Sequence, residues 1–382
     1  IRRQRQMCIR DSRSSVDFAL GMTISRKDHI AVIFSVNEGW APYVGVAIHS
    51  LCRRSDPGYS YDLWIMHDGM SREKMECLSS LVDSFSHITL NFKSMVKIRE
   101  EKMNARNLHG VACSIYYRLW LATLFPEYDR MIYLDVDVLL NADIAELYHT
   151  DLNGCLIGAV TDISVLKFLS SGETALNPNR QLLEELGIRD IRRYFNSGVL
   201  VLDLKGIREQ GKEAVLMELF NRETFFNHDQ DILNIAFYGS CKHLPVEWNF
   251  QFEPYLKGDP DEASWRGTEF ADIFRIHEER SWKILHLIES KPWDVHSRVA
   301  AHVVHGAVWW EEAFDMPVFQ LHFRRVFCQS LEATRKKLRS HQWKMWCSLG
   351  HVRTKRKQRI TLWRDYLNML EYLAQKHELR YY

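Results

Sequence analysis

Two carboxylates, Asp135 and Asp137, interrupt the run RMIYLDVDVLL, which otherwise reads as a strand covered on both faces. Side chains two apart on a strand project to the same side. Carboxylates so placed repel, and one stays protonated unless a cation lies between them. Two readings are open at this point. Either the strand end surfaces and its acids meet water, or the pair holds a metal where ligands of parallel sheets bind, beyond the carboxyl ends of the strands.

The elements that must position this pair alternate. HIAVIFSV (29–36) is a short, β-branched, buried strand, and GWAPYVGVAIHSLCRR is a helix with Pro42 in its first turn. YDLWIMHDG is a second strand, SREKMECLSSLVDSF a helix with Ser71 as its N-cap, and ITLNFK a third strand. CSIYYRLWLATLF reads as a helix stopped by Pro126, leading into a strand that bears both aspartates. This alternation predicts a parallel, doubly wound sheet over the first ~150 residues. Beyond it lie strands CLIGAV and NSGVLVLDL, a helix near 206–220, a helix in DQDILNIAFYG and a late strand WKILHL. From Val318 the chain is helical and basic.

The 382 residues suffice for one large domain or two ordinary ones, with a normal apolar fraction of 46%. Net charge is +1, yet Arg324–Arg359 carries twelve Lys/Arg against the single acid Glu332. A basic appendage on a mildly acidic body follows. The eight cysteines show no CxxC pair or zinc spacing, which suits a reducing cytoplasm. No apolar run reaches the length of a membrane span, and no nucleic-acid motif accompanies the charge. The opening IRRQRQMCIRDS fits no element, so residues 1–22 are expected to be an artefact or disordered leader.

Five ordered blocks carry a resemblance: FSVNEGWAPYVGVAIHSL, YYRLWLATLFPEYDRMIYLDVDVLL, YFNSGVLVLDL, HDQDILN and ILHLIESKPW. Over about Ile30 to Trp293 the chain resembles the family 8 retaining glycosyltransferases, which include bacterial lipopolysaccharide galactosyl- and glucosyltransferases and glycogenin. The resemblance implies an α/β fold of GT-A type, a mostly parallel, doubly wound (Rossmann-like) sheet, over residues 23–317. The basic, aromatic helical tail occupies 318–382. A DxD alone is weak; DxD followed by FNSG, DQDILN and H…KPW is specific.

The resemblance implies a site residue by residue. Asp135, Asp137 and His286 match metal ligands for Mn²⁺, with Mg²⁺ as the alternative; mixed carboxylate and imidazole donors suit Mn²⁺ over Ca²⁺. Trp40 matches an aromatic on the uracil, Asn37 stands where the family usually has a base-contacting Asp, and Val136 lies between the acids. Arg118 reaches donor sugar and phosphate, and Lys291 neutralises the diphosphate. Asn196, Ser197, Asp229 and Gln230 match the donor-sugar pocket. Gln230 is nearest the β-face of the anomeric carbon, with Asp229 the alternative nucleophile, and Asp162 is on the acceptor side. Glu289 and Ser290 stand where a Gly is common, from which weak donor binding is expected.

These assignments imply transfer of a hexose from a UDP-sugar to a glycan or glycolipid acceptor, in cell-surface polysaccharide synthesis. The attack is expected on the face the diphosphate leaves, because an amide is a poor nucleophile. A binding-only member of the same fold is the competing reading. Residue by residue, ordinary roles compete too: His286 as a core histidine, Trp40 as core, FNSG as a flexible turn, Arg118 and Lys291 as surface charges. The tail, with Trp343, Trp346 and Trp363 among its Lys/Arg, fits either an anionic membrane surface on the cytoplasmic face or a helical face packed on the domain. Deleting it from Arg324 is expected to leave a folded catalytic body, and Asp137→Asn to leave stability unchanged or slightly raised.

Overall fold

A computed structural model describes residues 29–103, 112–163, 180–222, 225–251, 271–288, 291–294, 303–346 and 351–379. The leader and the Glu289–Ser290 substitution lie outside the described residues.

Four strands set the frame: β1 (His29–Val36), β2 (Ser60–His67), β3 (Ile88–Ser94) and β4 (Arg130–Leu134). They pair in parallel in the order β3-β2-β1-β4. β1 is buried along almost its whole length, as its unbroken apolar run requires of a central strand. The order reverses between β1 and β4, so a crevice opens beyond their carboxyl ends. The expected doubly wound sheet is therefore present, with DxD following β4 and Asn37 following β1.

Beyond β4 the sheet turns mixed. β7 (Phe195–Asp203) lies antiparallel to β4 and to β6 (Ile157–Thr161), and β8 (Cys241–His243) closes the edge parallel to β6. β5 (Val138–Leu140) and β9 (Ile284–His286) form a separate antiparallel pair. The reversed direction of β7 brings its first residues, FNSG, to the same end of the sheet as the DxD.

Three local expectations are corrected. Asp135–Asp137 do not lie within a strand; they form the turn between β4 and β5. CSIYYRLW is a 3-10 helix (Cys113–Trp120) followed by one α turn (Leu121–Leu124). Tyr116 through Trp120 are all buried, Arg118 included, and no α-helix with a solvent face could bury five consecutive residues. The helix near 206–220 is two, Leu204–Glu209 and Lys212–Arg222, separated at Gly211, whose φ of +62° is a glycine conformation.

The tail is a pair of long helices, Gln320–Trp346 and His351–Lys376. Phe323, Phe327, Leu331, Leu338, Ile360, Trp363, Tyr366, Leu370 and Leu373 are buried in one core with Trp309 and Trp310 of helix Val303–Asp315 and with β1 and its helix Ala41–Cys52. No helix of the described residues is long and apolar enough to cross a membrane.

Candidate active site

Two backbone ladders meet at the DxD turn. β4 and β7 pair Leu134 with Val199, and the Asp135 N–H donates to the Gly198 carbonyl at 2.8 Å. β5 and β9 pair Val138 with His286, and the Leu287 N–H donates to the Asp137 carbonyl at 2.9 Å. Residues from 135 to 286 are thus brought together by strand register, and the aspartates converge because the chain turns between two sheets.

One oxygen from each carboxylate and one nitrogen of His286 lie within 4.8 Å of one another. His286 Nε2 is 3.3 Å from Asp137 Oδ1 and 3.8 Å from Asp135 Oδ2. Its Nδ1 faces Asn249 Oδ1 at 2.9 Å, while Asn249 Nδ2 donates to Asn196 Oδ1, also at 2.9 Å. With Nδ1 donating to that amide, the Nε2 lone pair points at the carboxylates, the arrangement typical of a metal-bound imidazole. Two oxygens and one nitrogen on one side of a buried histidine suit a first-row divalent cation.

Gly198 supports the same reading. A Cβ there would lie 2.2 Å from His286 Cε1 and 2.8 Å from Asp135 Oδ2. The glycine of FNSG is inside β7, so its role is to let those two side chains approach the backbone, not to make a flexible turn.

Charge is arranged around this triad. Arg118 is buried between acids: Nη2 donates to Asp135 Oδ1 at 2.8 Å, Nε lies 3.1 Å from Asp229 Oδ2, and Nη1 donates to the Ser197 carbonyl at 2.6 Å. Its guanidinium stacks 4.0 Å from the Tyr133 ring, whose hydroxyl donates to Asp135 Oδ1 at 3.0 Å. Burial works against the charge on Arg118, but Asp135 and Asp229 hold its pKa above the usual value. For Asp229 burial wins, and its carboxyl is pushed up to about 6 despite Arg118. For Asp137 burial is outweighed by Lys291 and His286, which hold the carboxyl well below the usual range. Lys291 Nζ donates to Asp137 Oδ2 and to the Leu287 carbonyl. The reading of Arg118 as a surface charge is thus corrected.

Behind Arg118 lies a hydrogen-bonded layer. Gln230 Nε2 donates to Asp162 Oδ2 at 3.0 Å, and Gln230 Oε1 accepts from the Ser197 N–H at 3.0 Å. Asn196 Nδ2 donates to the same Asp162 oxygen at 2.9 Å. Tyr194 and Asp231 flank it, with the Tyr194 hydroxyl donating to Asp231 Oδ1 at 2.5 Å. The donor-sugar candidates Asn196, Ser197, Asp229 and Gln230 therefore join the Asp135, Asp137 and His286 cluster through Arg118. Asp162, expected on the acceptor side, is buried against Asn196 and Gln230.

In front of Arg118 a cavity of about 220 Å³ is lined by Asn37, Trp40, Arg118, Val136, Asp135 and Asp137, among others. It occupies the switch point between β1 and β4. Asn37 caps the turn Glu38–Trp40, its Oδ1 accepting from the Gly39 N–H at 3.0 Å. Sequence reasoning missed Asn249 and Tyr133. Neither was marked locally: Asn249 stands in PVEWNF beside another polar residue, Glu247, and Tyr133 in the strand RMIYL.

The sequence profile of glycosyl transferase family 8 matches residues 31–296, so the chain belongs to that family. General stress protein A of Bacillus subtilis (strain 168) is 28% identical over 244 residues, 61% of this chain and 78% of that protein. Lipopolysaccharide 1,2-glucosyltransferase of Escherichia coli (strain K12) is 27% identical over 242 residues, 61% of this chain and 65% of that protein. Among solved structures, the bifunctional glycosyltransferase WbbM superposes with a TM-score of 0.66 at 23% identity, over 78% of this chain and 52% of that one. The galactosyltransferase LgtC, solved with donor and acceptor sugar analogs, gives 0.56 at 20% identity, over 78% of this chain and all of that one. These likenesses establish a GT-A type α/β fold.

Proposed function

We propose that this glycosyltransferase moves a hexose from a UDP-sugar to a glycan or glycolipid acceptor with retention of anomeric configuration. The observation that carries the reading is the convergence of Asp135, Asp137 and His286 at the edge of a cavity at the sheet's switch point. Asp135, Asp137 and His286 would hold Mn²⁺, or Mg²⁺ in its place, and the ion when bound would supply Lewis-acid neutralisation of the leaving diphosphate.

The chain's own residues do the rest. Trp40 and Asn37 at the cavity wall receive the base, Val136 offers backbone between the two ligands, and Lys291 adds a second positive charge for the diphosphate. Arg118, held by two acids and two carbonyls, those of Ile115 and Ser197, is a rigid donor toward sugar and phosphate. Gln230 is anchored at both ends of its amide, which suits a group that faces the anomeric carbon without bonding to it. Asp229 is occupied by Arg118 and prefers its proton up to about pH 6, so it serves better to fix Arg118 than as a nucleophile. Attack by the acceptor hydroxyl on the face the diphosphate leaves then needs no enzyme nucleophile: the anomeric C–O bond to the diphosphate breaks as the bond to the acceptor forms, and the departing diphosphate takes the hydroxyl proton.

We further propose that the exposed Lys/Arg of the tail meet an anionic membrane surface at the inner, cytoplasmic face of the plasma membrane, a reading supported by the exposure of Arg339, Lys344 and Lys357. The free described cysteines suit that compartment. The test is a screen of UDP-sugars for Mn²⁺-dependent UDP release by the full chain. Release with one or two hexoses is expected. Binding without release under all conditions would overturn the catalytic reading in favour of a binding-only protein.

A further inference from the structure

The segment Lys291–Asp294 is held by three separate contacts. The Pro292 carbonyl accepts a hydrogen bond from the Tyr366 hydroxyl at 3.1 Å, from 74 positions further along the chain. The Trp293 ring stacks on Tyr43 with centroids 4.7 Å apart, and its centroid lies 4.3 Å from that of Trp309 and 6.2 Å, in a T-shaped arrangement, from that of Trp40. The Asp294 N–H donates back to the Lys291 carbonyl at 3.1 Å, closing the turn. A lysine side chain is long and flexible, so the reach of its ammonium is decided by the backbone that carries it. Proline has no N–H, which leaves its carbonyl as the one backbone polar group available to anchor. Tyr366 sits on the last helix, buried, and burial pushes its phenol well above the ordinary range, so it remains a donor at any working pH.

We propose that Tyr366 is a positioning residue for the donor site: through the Pro292 carbonyl it fixes the turn from which Lys291 reaches the diphosphate. The C-terminal helix then belongs to the donor-binding machinery. The inference rests on the reading of Lys291 as the residue that neutralises the diphosphate. Its consequence is selective. Freeing the Pro292 carbonyl weakens what Lys291 touches, while Trp293, held separately by Tyr43 and Trp309, keeps its place beside Trp40 in the base pocket.

Tyr366→Phe keeps the ring and removes the hydroxyl. Calorimetric titration of the full chain in Mn²⁺ should show UDP bound about five-fold more weakly, the value of one ordinary hydrogen bond, with uridine unchanged. The ratio of the two affinities does not depend on the fraction of protein folded, so it reads positioning even if the variant is less stable. In a Lys291→Ala background the same substitution should cost nothing further. Equal weakening of UDP and uridine, no weakening of either, or an undiminished effect without Lys291 would each overturn the inference. A wild-type chain that binds no UDP overturns the functional reading, and this inference with it.

Discussion

The sheet edge and the C-terminal helices are both rich in charge, and they use it in opposite ways. At the edge, Arg118 lies between Asp135 and Asp229, and Asp137 lies between His286 and Lys291. Each charge faces another across a few ångströms in a water-poor setting. On the helices, Arg339, Lys344 and Lys357 are exposed, and Lys336 meets Glu332 in a solvated i,i+4 pair. That arrangement contributes little to stability. What holds the helices is apolar. Trp363 is 5% exposed and packed, whereas Trp343 is 70% exposed on the other side. Charged residues in a sequence are informative when the fold makes them face one another, and a basic, tryptophan-bearing segment can be half core and half surface.

The largest break is removal of the helices themselves. A chain ending at Phe319 loses nine buried apolar side chains, from Phe323 to Leu373, and uncovers Trp309 and Trp310. For the remaining body the loss is the cover over Trp309 and Trp310, at about 2 kcal/mol per uncovered side chain a large share of the ~5–15 kcal/mol that separates most native domains from their unfolded chains. The expectation that deletion from Arg324 leaves a folded body is therefore reversed. Circular dichroism melts and dye binding of the truncated chain should show no cooperative transition and exposed apolar surface. A sharp melt within a few degrees of the full chain would mean that the helices are an appendage after all.

Next in size is Asp137→Asn, which tests the other side of the contrast. Loss of a ligand should lower UDP release by ~100-fold or more. It should also cost stability in metal-free buffer. Lys291 already neutralises Asp137, with side-chain exposures of 13% for Asp137 and 18% for Lys291, so relief of carboxylate repulsion is not the dominant effect. Removing one partner leaves the lysine in a poorly hydrated place, a loss of about 1–3 kcal/mol. Urea denaturation with chelator present measures it. Unchanged stability would mean that the Lys291 pairing contributes nothing in solution.

Much of this was legible from residue types. The apolar runs within HIAVIFSV and MIYL gave away central parallel strands, and the five ordered blocks pointed to Asp135, Asp137 and His286, which the fold brings together. The expectation that Asp135 and Asp137 share a strand face was wrong in mechanism though right in outcome. A local period-2 pattern carries no information about β5 leaving the main sheet to pair with β9. Asn249 was invisible for the same reason. Its partners His286 and Asn196 are 37 and 53 residues away, and only register brings them together. The tail stayed open between two readings because composition averages over a helix, while burial distinguishes its faces.

Gly198→Ala is the smaller, sharper probe of the edge. The added methyl must displace His286 or Asp135, both within 2.8 Å of it. Overpacking should cost about 1–3 kcal/mol, and moving a ligand by about 1 Å should lower turnover ~100-fold. Activity should therefore fall further than stability alone explains, read as UDP release at a temperature where the variant is fully folded. Near-normal release would mean that the ligands tolerate displacement and that the glycine serves only packing.

The smallest effect on the fold comes from the outward face of the helices. Arg339→Glu, Lys344→Glu and Lys357→Glu together reverse three exposed charges. Melting temperature and UDP release in solution should stay at wild-type values, since exposed charges contribute within about half a kcal/mol each. Binding to phosphatidylglycerol vesicles should fall, because a basic residue at an anionic surface contributes about 1 kcal/mol, or about five-fold in affinity. The difference should vanish as ionic strength rises and the Debye length shrinks below about 8 Å. Sedimentation with vesicles at low and high salt measures it. Equal sedimentation of both proteins at low salt would leave the helices with one role, that of holding the core and the turn of Lys291 in place.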